Sequence, residues 1–454
     1  MEALVSAVIG DIISRAISIM VEKSRQQTTA EEDLQRLHQL LLRISTVIEE
    51  AEGRCISNQG MIRQISIMIN QMFRGYYLLD SFKCIQKKTN DEEVILVLEN
   101  MVADMKEFAI FLMSYPRMYR QPYGAYLYLD KYMFGRQMER EQAISFLLQA
   151  EPLGGGNLGV LPIVGPGLIG KSTLVERVCD DERVRNHFSL ILRYEGNDLN
   201  DETAISFRDH CVIKHQNSAS GAEKSLVVIE LLGDVDEGAW KRLLQTSERC
   251  MAHGSKIIVT SRSENMVNIG TTEAIMLRCL SKEAYWYFLK MLLFGSTDPE
   301  DRPKLTSIAM ELALEMCGSF VLAYVLATLL RENPSARFWR RVLRMAREFT
   351  QKNNFVRGEY NEGRISRYAW GIGETPRGSN DQKIFLIHHS HQKGPAARDE
   401  IPTITIVDLI FGAWSAVPVG KFEVLCWRSL IPPYYSYVCS CEFVQHTEHR
   451  DIES

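Results

Sequence analysis

The chain has 454 residues, room for about three domains of ordinary size. Hydrophobic residues make up 46% and charged residues 24%, a globular balance, and the net charge of -5 argues against a nucleic-acid binder. Ten cysteines without a regular framework suggest reduced thiols and a cytoplasmic location, no run reaches the ~20 apolar residues of a membrane span, and Asp11 breaks the first apolar stretch, against a secretory signal.

Residues 3–20 carry Leu4, Val5, Val8, Ile9, Ile12, Ile13, Ile17 and Met20 at helical period, a wide apolar face. The next helix has a 3–4–3–4 seam of Leu34, Leu37, Leu41, Ile44, Ile48 and Ala51, with Thr29 near its start and Gly53 as its stop. A third repeats the seam with Ile62, Ile65, Ile69, Met72, Tyr76 and Leu79, and a fourth with Val94, Leu98, Met101, Met105, Phe108 and Leu112. Each seam covers too few heptads for a rod, so the pattern predicts an antiparallel four-helix bundle. Most seam positions are core. The breadth of the first helix also permits self-association or a place at a membrane surface.

Residues 113–133 are rich in Tyr, Pro and Arg and read as a linker. After Phe134-Gly135-Arg136 comes a short helix with apolar residues from Ala143 to Leu148, then a glycine-rich turn up to Gly159. Val160–Val164 reads as a buried strand and Leu174–Val178 as the start of a helix. Between them, Gly165-Pro-Gly167-Leu-Ile-Gly170-Lys171-Ser172-Thr173 fits G-x-x-x-x-G-K-[ST], the phosphate-binding loop. Glycines let the backbone curl so that its N–H groups face phosphate oxygens, and the helix start adds partial positive charge. Lys171 would neutralise the β/γ-phosphates and the Ser172 hydroxyl would hold Mg²⁺.

Apolar runs then alternate with amphipathic stretches. Leu190–Tyr194, Leu226–Ile229 and Lys256–Thr260 read as strands, and 202–215 and 237–250 as helices. That alternation predicts an α/β domain with a parallel sheet, whose ligands sit at the strands' C-terminal ends, near Glu230 and Thr260-Ser-Arg262. Residues 280–331 read as a small helical domain, with one buried helix from Ile308 to Leu330. Beyond Pro334, Arg337, Arg340, Arg341, Arg344 and Arg347 form a solvated basic face. Residues 352–400 are read as loop, Ile401–Phe411 and Phe422–Trp427 as strands. His388, His389, His391, Cys439, Cys441, His446 and His449 are metal-capable, but C-x-C is tighter than the usual zinc pair.

In order, these pieces resemble plant coiled-coil NLR immune receptors, which have an Rx-type N-terminal bundle and an NB-ARC module. The phosphate loop, Asp181–Phe188, Gly254–Arg262, Leu280-Ser-Lys-Glu-Ala284 with Phe288, and Cys317-Gly-Ser-Phe-Val-Leu-Ala323 carry the resemblance, strongest over residues 1–350. It implies a multidomain chain: an all-α bundle at 1–115, a linker at 116–133, an α/β P-loop nucleotide-binding domain at 134–279 and a helical ARC1-like domain at 280–332. A degenerate, irregular α+β ARC2-like region follows at 333–454, with no leucine-rich repeat. It also implies ADP/ATP and Mg²⁺ as ligands, Arg262 as reader of the γ-phosphate, and Phe134 and Arg136 beside the adenine. A switch in plant defence follows, with other receptors or further copies of the chain as partners and plasma-membrane association on activation.

The departures bear on mechanism. Two aspartates should follow the third strand, one on Mg²⁺ and one polarising water. Here stand Glu230 and Leu231, and Leu231 can do neither, while Asp234 and Asp236 would need a shift in register. At most a slow ATPase is expected. The proline that lies against the base is Val321, Asp80 alone survives of the bundle's acidic motif, and Val407-Asp408-Leu409 faintly matches the histidine-containing motif near the end of the module. A silent relic acting as a helical interaction module is the alternative.

Overall fold

The computed structural model describes residues 30–54, 56, 58–85, 91–116, 134–149, 158–167, 169–195, 212–216, 224–231, 235–295, 297, 299–316, 318–353, 367–370, 384–393, 401–411, 420–429 and 434–444. The expected first helix and nearly all of the linker lie outside them.

Three helices open the described chain, α1 (Ala30–Glu52), α2 (Gln59–Ile85) and α3 (Asp91–Met113), and each packs on the other two. Their seams are the interior: Leu37, Leu41, Ile44 and Ile48 of α1 meet Ile62, Ile69, Met72 and Leu79 of α2 and Leu98, Met105, Phe108 and Leu112 of α3, all buried. An Arg36–Glu99 ion pair joins α1 to α3. Arg54, just past α1, donates to the carbonyls of Met113 (3.3 Å) and Tyr115 (2.7 Å). Those acceptors lie at the end of α3, where helix carbonyls run out of partners.

After α4 (Gln137–Leu148) the α/β domain begins with β1 (Gly159–Val164), α5 (Lys171–Cys179), α6 (Glu182–His187) and β2 (Leu190–Glu195). It continues with β3 (Val212–Gln216), β4 (Ser225–Glu230), α7 (Glu237–Cys250), β5 (Lys256–Ser261) and the short β6 (Ile275–Met276). The sheet order is β3-β2-β4-β5-β1-β6, parallel except for β3 against β2. Helix had been expected through residue 215. Residues 212–216 are instead a strand: Val212 and Ile213 are β-branched, and β2 had an edge to pair, which helical periodicity does not register.

Both faces of the sheet are covered, as a parallel sheet requires. Leu161, Ile163, Ile191, Val228 and Ile258 pack with Ile144 and Leu147 of α4 and Leu174, Val175 and Val178 of α5. On the other face, Val160, Leu192, Val227, Ile229 and Val259 pack with Trp240 of α7 and with Met266.

The helical stretch that follows holds α8 (Lys282–Phe294), α9 (Pro303–Glu315), α10 (Phe320–Glu332) and α11 (Ala336–Asn353). The single helix expected over 308–330 is two, parted near Gly318, whose φ of +83° is left-handed. On α11, Trp339, Val342 and Leu343 are buried while Arg337, Arg340, Arg344 and Arg347 are exposed.

The C-terminal part corrects two expectations. Residues read as loop contain β7 (Arg367–Trp370) and β8 (Ile384–Lys393), and Ile401–Phe411, read as a strand, holds the short helix α12 (Ile406–Phe411). Thr405 and Asp408 start that helix reciprocally: Asp408 Oδ2 accepts from Thr405 N (2.9 Å) and Oγ1 (2.7 Å), and Thr405 Oγ1 accepts from Asp408 N (3.1 Å). With β9 (Lys421–Arg428) and β10 (Ser436–Val444), the strands form an antiparallel sheet in the order β7-β8-β10-β9.

The chain divides into two compact units. One comprises Met1–Tyr132, Leu280–Glu315 and Leu330–Leu343, the other Met133–Cys279, Met316–Leu329 and Arg344–Ser454. Within the first, Asp80 of α2 accepts from Trp286 and Lys290 of α8, and Tyr287 stacks obliquely with Phe73 (5.0 Å) and Tyr76 (5.3 Å). Among the described residues no helix is long and apolar enough to cross a membrane.

Candidate nucleotide site

The glycine-rich segment leaves the C-terminal end of β1 and enters α5. The end of β1 holds to both neighbours: Gly165 N–H donates to Ser261 O (3.2 Å), and Leu277 N, just past β6, donates to Val164 O (2.8 Å). There is no room for a side chain here, since a Cβ on Gly165 would lie 2.4 Å from Leu277 O. Gly170, the residue before α5, has φ +93°, a left-handed turn that glycine adopts without penalty. Lys171 is buried, and its ammonium donates to the carbonyls of Gly165 (2.6 Å) and Pro166 (2.7 Å). The lysine thus closes the loop into a ring. Gly167, Ser172 and Thr173 are half-buried around it.

Beside the loop, β5 ends at Ser261 and half-buried Arg262 follows. Ser261 Oγ accepts from Ser263 N (3.1 Å). Phe134 is half-buried, and Gly135 (φ +68°) turns the chain so that buried Arg136 can donate to Arg278 O (2.5 Å) and pair with Glu139 (3.1 Å). Val321 lies buried in α10.

Glu230 ends β4 on the α5 face, and sequence reasoning missed its surroundings. Arg193 of β2 donates from Nη2 to Glu230 Oε1 (2.6 Å) and from Nη1 to Glu176 Oε2 (3.1 Å) of α5. The Tyr435 hydroxyl accepts from Arg193 Nη2 and donates to Glu230 Oε2 (3.3 Å), with its ring 5.1 Å from the guanidinium carbon. All four side chains are nearly out of solvent. Burial alone would ease the proton off Arg193, but Glu230, then Tyr435 and Glu176, reverse this and hold its pKa above the usual arginine value. Tyr434, with φ +59°, turns the chain left-handed just before Tyr435.

The other carboxylates and thiols stand apart from this group. Leu231 is buried in the apolar layer on the far face, with its N–H on Thr260 O (2.9 Å). Asp234 lies outside the described residues, and Asp236 caps α7 by accepting from Ala239 N (3.0 Å). Cys439 and Cys441 are buried in β10, and the Cys441 thiol is pushed up to about 12, by burial first and then by Cys439. Among the described residues no group of three His, Cys, Asp or Glu could hold a metal ion.

An implied Mg²⁺ fits this site only in half. The Ser172 hydroxyl stands at the start of α5 as a metal ligand would. The carboxylate that should accompany it already has Arg193 on one oxygen and Tyr435 on the other. A divalent cation does not fit Glu230 as the structure holds it.

A lysine-closed glycine loop between the first strand and its helix, at the C-terminal edge of a sheet covered on both faces, defines a P-loop NTPase domain. In sequence the chain is similar to plant disease resistance proteins. Disease resistance protein RGA2 of Solanum bulbocastanum is 22% identical over 354 residues, 69% of this chain and 36% of its own length. RGA1 of the same plant is 26% identical over 230 residues, 46% of this chain and 23% of its own length. A disease resistance protein of Arabidopsis thaliana is 25% identical over 224 residues, 46% of this chain and 16% of its own length. The chain therefore spans 16–36% of these relatives. No family model matches it. The solved structure of C. elegans PCH-2 aligns with 49% of this chain and 71% of its own at 12% identity, with a TM-score of 0.31, too low to bear on the fold.

Proposed function

We propose that the chain is an adenine-nucleotide-binding switch of plant defence. The observation that carries this is the loop itself. Lys171 is buried and held against Gly165 and Pro166, a cationic clasp whose usual use is a polyphosphate. In this reading Gly165, Gly167, Gly170, Lys171, Ser172 and Thr173 hold the phosphates. Arg262, beyond the end of β5, reads the γ-phosphate, and Phe134, Arg136 and Val321 serve the base. ADP favours one arrangement of the bundle (1–115), linker (116–133), nucleotide-binding domain (134–279), ARC1-like helices (280–332) and C-terminal region (333–454). ATP favours another to the extent that its extra phosphate binds that arrangement better. Other receptors, or further copies of this chain meeting through the bundle, are the partners of that change.

Turnover is slow at best in this account. Leu231 occupies the position where a water-polarising carboxylate is wanted, and it is packed among Val227, Ile229 and Trp240. The same residue favours the second reading, an interaction module whose pocket has fallen silent. The test is to denature the purified chain and identify what it releases. About one ADP or ATP per chain is expected. A chain that comes out empty and ignores added adenine nucleotides leaves the interaction module.

A further inference from the structure

We propose that Arg193 stands in for the divalent cation at the end of β4, so that this loop takes adenine nucleotide without a metal ion. The inference rests on the nucleotide-binding reading above and adds to it what neutralises the acidic strand end.

Arg193 pairs with Val228 on the neighbouring strand, so its side chain rises on the same face as Glu230, two residues further along β4. That is the α5 face, the side on which the phosphate loop continues into its helix. An arginine among the buried residues of Leu190–Tyr194 must be paired, because its charge is permanent and cannot be relieved by losing a proton. Its fork finds Glu230 at 2.6 Å and Glu176 at 3.1 Å, one carboxylate per terminal nitrogen. Tyr435 closes the remaining side of Glu230. Its placement follows from the left-handed turn at Tyr434, a conformation unusual for a tyrosine and one that something in the fold must hold.

Mg²⁺ needs near-ideal octahedral geometry and gives up its waters reluctantly. To reach Glu230 it would have to displace a guanidinium whose exposed surface is 8% and whose other carboxylate partner, Glu176, is 13% exposed. Removing one member of a buried pair leaves the other uncompensated, which costs more than a loosely held cation returns. The guanidinium already sets one positive charge against the carboxylate that a metal would bind. What remains for the phosphates is the loop, Lys171 and the helix start, none of which needs a metal.

The experiment is equilibrium binding of ADP and of ATP to the nucleotide-stripped full chain, once with EDTA and once with excess Mg²⁺. The Kd is expected to differ by less than about threefold between the two. Arg193→Met, which frees the carboxylate, is expected to make Mg²⁺ tighten binding by about tenfold or more, and adding Glu230→Gln to that variant is expected to cancel the effect. An arginine that merely braced the strands would change stability without creating a metal dependence. Tightening by about tenfold or more in the wild-type chain, lost in Glu230→Gln, would overturn the proposal while leaving nucleotide binding intact. That comparison does not depend on any Arg193 variant folding. Absence of binding under both conditions would instead sink the nucleotide-binding reading, and this inference with it.

Discussion

Trp286 Nε1 donates to Asp80 Oδ2 at 2.8 Å, and Lys290 Nζ shares the same oxygen at 2.7 Å. Trp286 is fully buried, so its indole N–H needs an acceptor, and Lys290, one turn along α8, supplies the charge that makes a buried carboxylate tolerable. Asp80→Ala strands both donors and is expected to destabilise the first unit by about 3 kcal/mol. Asp80→Asn keeps an acceptor for the indole and should cost less, about 1–2 kcal/mol. Urea unfolding followed by tryptophan fluorescence distinguishes the two. Equal, small losses for both variants would show that α2 and α8 are held by their apolar contacts alone.

Gly165 and Lys171 make opposite demands on the loop. A Cβ at residue 165 would meet the backbone oxygen of Leu277 at 2.4 Å, so Gly165→Ala must push β1 from its neighbour. A loss of about 1–3 kcal/mol in stability is expected, with nucleotide affinity falling alongside. Lys171→Ala removes a donor without a clash. Affinity should fall by about 10–100-fold, the worth of a charge-assisted contact, while the melting temperature of the nucleotide-free chain moves much less than in Gly165→Ala. Calorimetric titration with ADP beside a thermal melt reads both. A Lys171→Ala chain that binds ADP like the wild type would remove the lysine from the site.

The loop was legible because its chemistry is contiguous: nine neighbouring positions carry the curl, the cation and the hydroxyl, and apolar runs on either side announce strand and helix. The bundle seams were legible for a similar reason, since periodicity is a local property: most of the predicted positions from Leu37 to Leu112 are buried, while Ile65, Tyr76 and Met101 are half-buried. The Arg193 group was not, because Glu230 is 37 positions away from it and Tyr435 is 242. One signal was there: a single arginine inside Leu190-Ile-Leu-Arg-Tyr194 has to be answered by an acid somewhere. The lone Asp80 at the end of Tyr76-Tyr-Leu-Leu posed the same question, and Trp286 and Lys290 answer it. Residues 212–216 misled because edge pairing, not local pattern, decides such a segment.

His187, the last residue of α6, titrates below the usual imidazole value, chiefly through burial and then through Lys224 and Lys256. A depressed value means that the unfolded chain takes the proton more readily than the folded one. Stability is therefore expected to fall as pH drops below about 6.5, and to stop falling from this source once the folded imidazole is itself protonated. His187→Gln should flatten that decline without abolishing it, because other histidines remain in the chain. Unfolding midpoints measured from about pH 7.5 down to 5.5 for both chains give the comparison. Parallel profiles would mean that His187 is protonated equally easily in both states.

The thiols divide by access. Cys279 is exposed, whereas Cys441 is buried in β10 with its thiol pushed up to about 12 by the loss of solvent and, secondarily, by Cys439. At pH 8 only roughly one Cys441 in ten thousand carries the thiolate that reacts, against some tenths for an ordinary exposed thiol. Alkylation with iodoacetamide is therefore expected to mark exposed Cys279 within minutes and leave Cys441 untouched until denaturant is added. Peptide mass spectrometry of the labelled chain assigns each site. Rapid labelling of Cys441 in the native protein would mean that β10 opens readily, and with it the strand that carries Tyr437 and follows directly on Tyr435. The grip of Tyr435 on Glu230 would then be transient, leaving Arg193 as the carboxylate's lasting partner.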